Sequence, residues 1–542
     1  MNKWQHMAAV VVLLGAPLLA TATAWAGETD SVVLRLKDSG FEFSGSLKSF
    51  DGSRYVVAAP SVGLLSIDAE RFDCEGDACA KSTVATAASS TASTFAIEAN
   101  GANNHQVFAI DGSATIGLEL MPQLIRDYAH SLGGSAKQVI GGATNAAVQF
   151  RITDARGAEI SSIDLKRRNS ADAFGSLLAG QAAIGMSSRP ISAAEAATMP
   201  PVPGGIHGPE GEVVLALDAL AVLVAPDNPA KSVSIEALAK IAAGKITNWS
   251  ELGLPPANIK LYVGSPDSGA NEGFDEIVMR PRGLALTTAA THMKTEAELS
   301  DAVARDPYGI GVTSLAFLRN AKALAVADAC GRATAPSVFA VKSEEYPLGR
   351  RLYLYTAGLA PNSVARELLA FASSAPAQIS VQNSQFIDQS IEQIAFNGES
   401  RRFDLAIKNA GLKREQAQAR AIAQELKGAT RLSTTLRFAS GSSQLDAKAR
   451  DDVARLRDFL RRPELTGKTV LFVGYTDSIG TPSANIDLSY RRAVQIRDAV
   501  TGDRPSGKIP VVLGEGPIAP VACDETGEGQ RLNRRVEVWL RD

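Results

Sequence analysis

The period of hydrophobic and polar positions changes from region to region of the chain, and each change predicts a different kind of structure. From Ser31 to about Cys79, short alternating runs such as Val32-Val33-Leu34-Arg35-Leu36 and Tyr55-Val56-Val57 are separated by the turn signals Asp38-Ser39-Gly40 and Asp51-Gly52-Ser53. That pattern predicts a small β-barrel or β-sandwich over residues 27–80. Residues 81–105 are mostly Ala, Ser, Thr, Gly and Asn, too poor in large apolar side chains to bury a core, and read as a linker. Over residues 106–398 strands lead into amphipathic helices, for example Val107-Phe108-Ala109-Ile110 into Leu118 to His130, which predicts an α/β fold with room for two lobes. Residues 399–429 carry many Ala and charges of both signs and predict a connecting helix or hairpin. Residues 430–542 predict a compact α/β sandwich. Its strands lie near Thr434 to Phe438, Thr469 to Gly474 and Arg535 to Leu540, and its helices near Ala447 to Leu460 and Asn485 to Val500.

The first residues add a compartment. Lys3 precedes an apolar run from Met7 to Ala20, and Ala24-Trp25-Ala26 places small residues ahead of Gly27, so residues 1–26 read as a cleaved signal peptide. The alternative, an uncleaved anchor, is opposed by Pro17 and by a run shorter than the roughly 20 apolar residues of a spanning helix. No Cys stands at the cleavage point for lipid attachment, and no later stretch is long enough to span. Export makes the four cysteines a matter of oxidation rather than metal binding. Cys74 and Cys79 are expected to close a small loop, with Gly76 easing the bend. By elimination Cys330 pairs with Cys523, a bond that crosses two of the domains above.

Charge and motifs exclude several function classes. Lys+Arg 55 nearly balances Asp+Glu 58, a net charge of -3, which predicts neither a nucleic-acid binder nor a disordered acidic chain. Any anion site is therefore built locally. No Gly-x-Ser-x-Gly elbow, His-Glu-x-x-His helix, Walker loop or Cys/His set with metal spacing occurs. His105, His130, His207 and His292 stand alone. No catalytic residue, metal site or cofactor is expected. Tyr346-Pro347-Leu348-Gly349-Arg350-Arg351 reads as a turn into a buried strand, with a cleft-facing role for its two Arg as the alternative.

In the last domain Asp477 follows a strand and Arg492 lies on the next helix, so a carboxylate and a guanidinium can face one pocket and hold the ammonium and carboxylate of a zwitterion. The blocks Gly474-Tyr475-Thr476-Asp477-Ser478-Ile479-Gly480, Asn485-Ile486-Asp487-Leu488-Ser489-Tyr490-Arg491-Arg492-Ala493 and Asn533-Arg534-Arg535-Val536-Glu537, in this order, resemble the OmpA-like peptidoglycan-binding domain. The resemblance implies that Asp477 and Arg492 hold the diaminopimelate of the stem peptide. It also implies that Thr476 and Asn485 line the site and that Arg535 adds a donor.

In the middle domain Asp111-Gly112-Ser113-Ala114-Thr115 and Ser268-Gly269-Ala270 each precede a helix, where N–H groups and hydroxyls converge on the positive end of the dipole. Ile184-Gly185-Met186-Ser187-Ser188-Arg189 supplies a further hydroxyl stretch and a guanidinium. With Asp218 to Val224, Gly244-Lys245-Ile246-Thr247-Asn248-Trp249 and Tyr308-Gly309-Ile310-Gly311, these stretches resemble the periplasmic phosphate-binding proteins of ABC transporters. The resemblance implies two hinged α/β lobes and anion contacts at Ser113, Thr115, the Ile116 backbone, Ser170, Ser188, Ser268 and the Gly269 backbone. It makes an inner-membrane permease a candidate partner. The chain departs from the family pattern at Gly264, where an Arg is usual, at Ala270 in place of Thr, and at Ser188 in place of the carboxylate that accepts a proton from phosphate. Arg189 is the cation at hand to replace the lost charge.

The expectation is thus a periplasmic protein on the outer-membrane side of a Gram-negative envelope, with peptidoglycan and a small oxyanion as partners. The alternatives are a structural tether whose cleft has lost its ligand and, lacking a nucleophile–base pair, a hydrolase.

Overall fold

A computed structural model describes residues 31–36, 42–50, 54–59, 63–68, 72–76, 79, 106–139, 147–203, 205–266, 268–359, 363–438, 445–502 and 508–542. The expected signal peptide 1–26, the expected linker 81–105 and His105 lie outside the described residues. The chain divides into two compact units, residues 1–94 and 95–542.

In the first unit Ser31–Leu36, Glu42–Phe50, Arg54–Ala59 and Gly63–Asp68 follow one another as an antiparallel meander, and Phe72–Glu75 returns to pair with Ser31–Leu36. The described strands make one sheet rather than two. The alternation read from the sequence holds: Val32 and Leu34 are buried and Arg35 is exposed. Cys74 and Cys79 are disulfide-bonded, with Cα atoms 5.9 Å apart.

The second unit opens with an eleven-stranded mixed sheet. Its two halves share the strand Glu212–Val224. The first half of that strand pairs with Gly349–Tyr355, from Glu212↔Tyr355 to Ala219↔Gly349, and the second with Gly309–Ser314, from Leu220↔Ser314 to Val224↔Ile310. All of it is buried, which its nearly unbroken apolar run Val213 to Val224 requires of a strand covered on both faces. Gln106–Ser113, Glu159–Arg168 and Ile184–Ser187 lie on one side of this strand pair, and Lys260–Val263 and Thr291–His292 on the other. Each side has its own core, one around Ile110, Leu124, Phe150 and Leu165, the other around Val222, Leu238, Ile310 and Val312. The result is two lobes meeting where Glu212–Val224 changes partners.

The C-terminal sheet runs in the order Gln393–Ala395, Thr430–Arg437, Arg535–Arg541, Thr469–Tyr475, Val511–Gly514. Helices Ala447–Leu460 and Pro482–Thr501 cover one face, with Leu456, Phe472, Ile496 and Val538 between. The charged stretch forms a helical hairpin, Phe396–Asn409 and Lys413–Glu425, that covers the other face over Phe403, Ile422, Leu471, Val473 and Trp539. The hairpin is thus a third layer of this domain.

Buried ion pairs fasten the C-terminal domain to the lobes. Glu344 takes both Arg351 and Arg437, Arg351 also reaches Asp446 at 2.9 Å, and Arg431 bridges Glu345 and Glu399. Lys342 meets Asp388 at 3.1 Å and Glu392 at 3.2 Å. Cys330 of the second lobe is bonded to Cys523, with Cα atoms 5.3 Å apart. Among the described residues no helix is long and apolar enough to cross a membrane.

Candidate functional site

The first candidate site lies between the strand Thr469–Tyr475 and the helix Pro482–Thr501. Thr481 caps that helix and Pro482 starts it, three residues earlier than the apolar pattern alone predicts. Thr476, Asp477 and Asn485 are buried here. Asn485 Nδ2 donates to the carbonyls of Ile479 at 3.1 Å and Asp477 at 3.4 Å, which fixes the loop. Asp477 Oδ1 accepts the Ile479 N–H at 3.2 Å, and Oδ2 accepts Arg534 Nη1 at 2.7 Å. Arg492 lies over the Phe438 ring, 4.9 Å from its centroid. Burial, and then the Arg534 cation, hold its guanidinium below the usual value, while Asp477 opposes them. Arg492 Nη1 and Thr476 Oγ1 are buried and have no hydrogen-bond partner.

Arg535 is elsewhere. It is fully buried, donating to Glu537 Oε1 at 2.7 Å and to the Ala519 carbonyl at 3.0 Å, with its guanidinium 4.1 Å from the Tyr475 ring centroid. The late donor beside Asp477 is Arg534, because adjacent residues at a strand start point to opposite sides. Asp524 is a second group that sequence reasoning missed. It accepts the Ser478 N–H at 2.7 Å and Asn533 Nδ2 at 2.9 Å, and so braces the loop after Asp477.

The second candidate site is the cleft between the lobes. Gly112 has φ +128°, and a Cβ there would lie 2.2 Å from the Met186 carbonyl oxygen, so only glycine lets the chain turn from strand into helix at Ser113. Ser113 and Ile116 are fully buried. Ser113 Oγ and Thr115 Oγ1 are buried without a partner. Gly269 of the second lobe lies directly against Thr115, since a Cβ there would be 1.8 Å from Oγ1. Ser268 caps its helix, accepting the Asn271 N–H at 3.2 Å. Ser170 Oγ and Ser188 Oγ are 3.1 Å apart, and Ser170 Oγ also accepts the Ser188 N–H at 3.1 Å. Among the groups named from the sequence, Thr115 thus meets Gly269 and Ser170 meets Ser188.

The charges are arranged differently. Arg189 is committed to Glu195, with both contacts at 2.7 Å, and to Glu276 at 3.2 Å, so its charge is already matched. The hydrogen bond to Arg189 draws the Glu195 carboxyl down to about 2. Arg350 reaches the second lobe, donating to Asp218 at 2.7 and 2.9 Å and to the Gly269 carbonyl at 3.0 Å, while Arg351 turns to the domain interface. Glu272, not singled out in the sequence, crosses the cleft to accept the Ser170 N–H at 2.9 Å. Burial, then the Glu272 charge, push Glu276 up to about 7. The signal that could have found this pair is the four-residue spacing of Glu272 and Glu276 just after Ser268-Gly269.

Comparison with known proteins matches two segments of the chain to two families. A model described as PBP superfamily domain matches residues 143–376, and one described as OmpA family matches residues 437–534. Protein SphX of Synechococcus elongatus is 33% identical over 155 residues, covering 27% of this chain and 45% of that protein. Outer membrane porin F of Pseudomonas aeruginosa is 36% identical over 109 residues, 20% of this chain and 30% of the porin. Phosphate-binding protein PstS of Borreliella burgdorferi is 23% identical over 181 residues, 32% of this chain and 65% of PstS. The chain thus spans less than half the length of the first two. Residues 143–376 are thus similar to the PBP superfamily domain, and residues 437–534 to the OmpA family.

Proposed function

We propose that this is an exported cell-envelope protein that binds peptidoglycan through Asp477 and Arg492. The observation that carries the reading is Arg492 itself: a half-buried cation whose Nη1 is buried and unpartnered, with an unpartnered Thr476 hydroxyl and an Asp477 already engaged by Arg534 in the same site. A carboxylate delivered to Arg492 would relieve it, and the ammonium of the same zwitterion would find Asp477, which matches the diaminopimelate of the stem peptide. Arg535 has no part in this proposal. The test is pull-down by diaminopimelate-type sacculi. Arg492→Ala and Asp477→Ala are each expected to abolish it while the circular dichroism spectrum is retained; pull-down surviving in both variants rejects the site.

In the cleft we propose a small, protonated oxyanion such as phosphate, held by Ser113, Thr115, Ile116, Ser170, Ser188, Ser268 and Gly269. The unpartnered Ser113 and Thr115 hydroxyls support this, and Glu272 offers the acceptor that Ser188 does not. The second reading, a cleft without a ligand that serves as a tether, is favoured by the same carboxylate, because Glu272 already occupies the Ser170 N–H and Arg189 is neutralised. Melting curves of the whole chain separate them. A rise in Tm with millimolar phosphate, and not with sulfate, supports the first; identical curves support the second.

A further inference from the structure

A cavity of about 370 Å³, within the roughly 300–1,000 Å³ range of small-molecule sites, is lined by Ser478 and Ile486, the chain neighbours of Asp477 and Asn485. Three parts of the chain wall it: Arg332 from the second lobe, Leu412 and Arg414 from the helical hairpin, and Ser478, Ile486 and Pro520 from the C-terminal domain. Ser478 follows Asp477, and Ile486 follows Asn485, so the cavity and the clamp share one loop and one helix start.

Its charges are unequal. Arg332 is turned to Asp328 and the Pro520 carbonyl, and Arg402, also in the wall, to Glu537. Arg414 makes no ion pair among the described residues, and its side chain is exposed. The acidic residue in the wall, Glu415, accepts the Leu412 N–H at 3.3 Å. Leu412 is 61% exposed, an apolar surface facing the same opening. Among the described residues no aromatic ring lines the cavity to stack a sugar face. The chemistry that fits is a short segment with small apolar groups and a free carboxylate.

We propose that this cavity receives the part of the stem peptide beyond the clamped diamino acid, with alanine methyls against Leu412 and Ile486 and the terminal carboxylate at Arg414. The inference rests on the clamp reading. The hairpin and Arg332 lie outside the matched OmpA family segment, so this subsite belongs to the particular way the chain joins its domains.

The test uses the full chain and two soluble labelled probes, a stem tripeptide ending at diaminopimelate and the pentapeptide with two further alanines, with affinity read by fluorescence polarisation. The pentapeptide is expected to bind about tenfold more tightly, the worth of one charge-assisted contact. Amidating its terminus, Arg414→Glu or Leu412→Asp should each reduce that ratio towards one and leave tripeptide affinity unchanged. Equal affinity of the two peptides, or an advantage that survives both variants, overturns the subsite while the clamp stands. If neither peptide binds, the clamp reading fails, and the subsite fails with it.

Discussion

Glu272 and Glu276 show how single residues set what the cleft can hold. Glu276 lies one helical turn from Glu272 in a site where Arg189 is shared with Glu195, and burial pushes the Glu276 carboxyl up to about 7. Glu272 adds to that rise, while Arg189, Arg350 and Arg280 oppose it. In the unfolded chain Glu276 releases its proton near pH 4.5, whereas the folded chain keeps it until about 7. Between these values the native state binds more protons than the unfolded state, so stability falls as pH rises through the window and levels off above it. On the order of 2–3 kcal/mol is at stake. Urea unfolding at pH 5 and pH 8 should show that loss in the wild type, and a smaller one in Glu276→Gln. Parallel pH dependence in the two proteins would remove Glu276 as its source.

At the scale of elements, what was legible followed from period, and what was not followed from partners. The alternation at Val32 to Arg35 and the amphipathic pattern of Ala447–Leu460 fixed face and helix without any knowledge of the fold. The proposed site residues Ser113, Thr115, Ser268 and Asp477 came from motifs that sit at strand-to-helix turns, where local sequence decides the geometry. The N-terminal strands were legible too, but whether they made one sheet or two depends on pairing between strands that no local pattern encodes. The error at Arg535 is instructive because the strand's own parity contained the answer. Arg535, Glu537 and Trp539 alternate with Val536, Val538 and Leu540, so Arg535 shares the face that the hairpin covers. Burial alone would raise the Glu537 carboxyl, but Arg402, Arg431 and Arg535 outweigh it and hold it well below its usual range. Such a network cannot be read from composition, since its members lie far apart in sequence and each looks like a solvated surface charge.

For the whole molecule, the disulfide between Cys330 and Cys523 has the largest consequence. It closes a loop with a sequence separation of 193, and constraint of the unfolded chain over that length contributes about 5 kcal/mol in the chain-entropy account. It also ties the second lobe to the segment that carries Asp524, whose carboxylate accepts the N–H of Ser478, the residue after Asp477. The noncovalent interface through Glu344, Glu345 and Lys342 remains when the bond is absent, so domain docking should survive its removal while cooperativity declines. Calorimetry of Cys330→Ala/Cys523→Ala is therefore expected to show a lower Tm, with the C-terminal domain melting as a separate, earlier transition. The double variant isolates this bond from Cys74–Cys79, which a reductant would also open. Sacculus pull-down below that first transition should persist, because Arg492 and Asp477 are positioned by their own strand, loop and helix. An unchanged melting profile would mean that the ionic interface alone holds lobe and C-terminal domain together, and that the covalent link adds no stability to the native state.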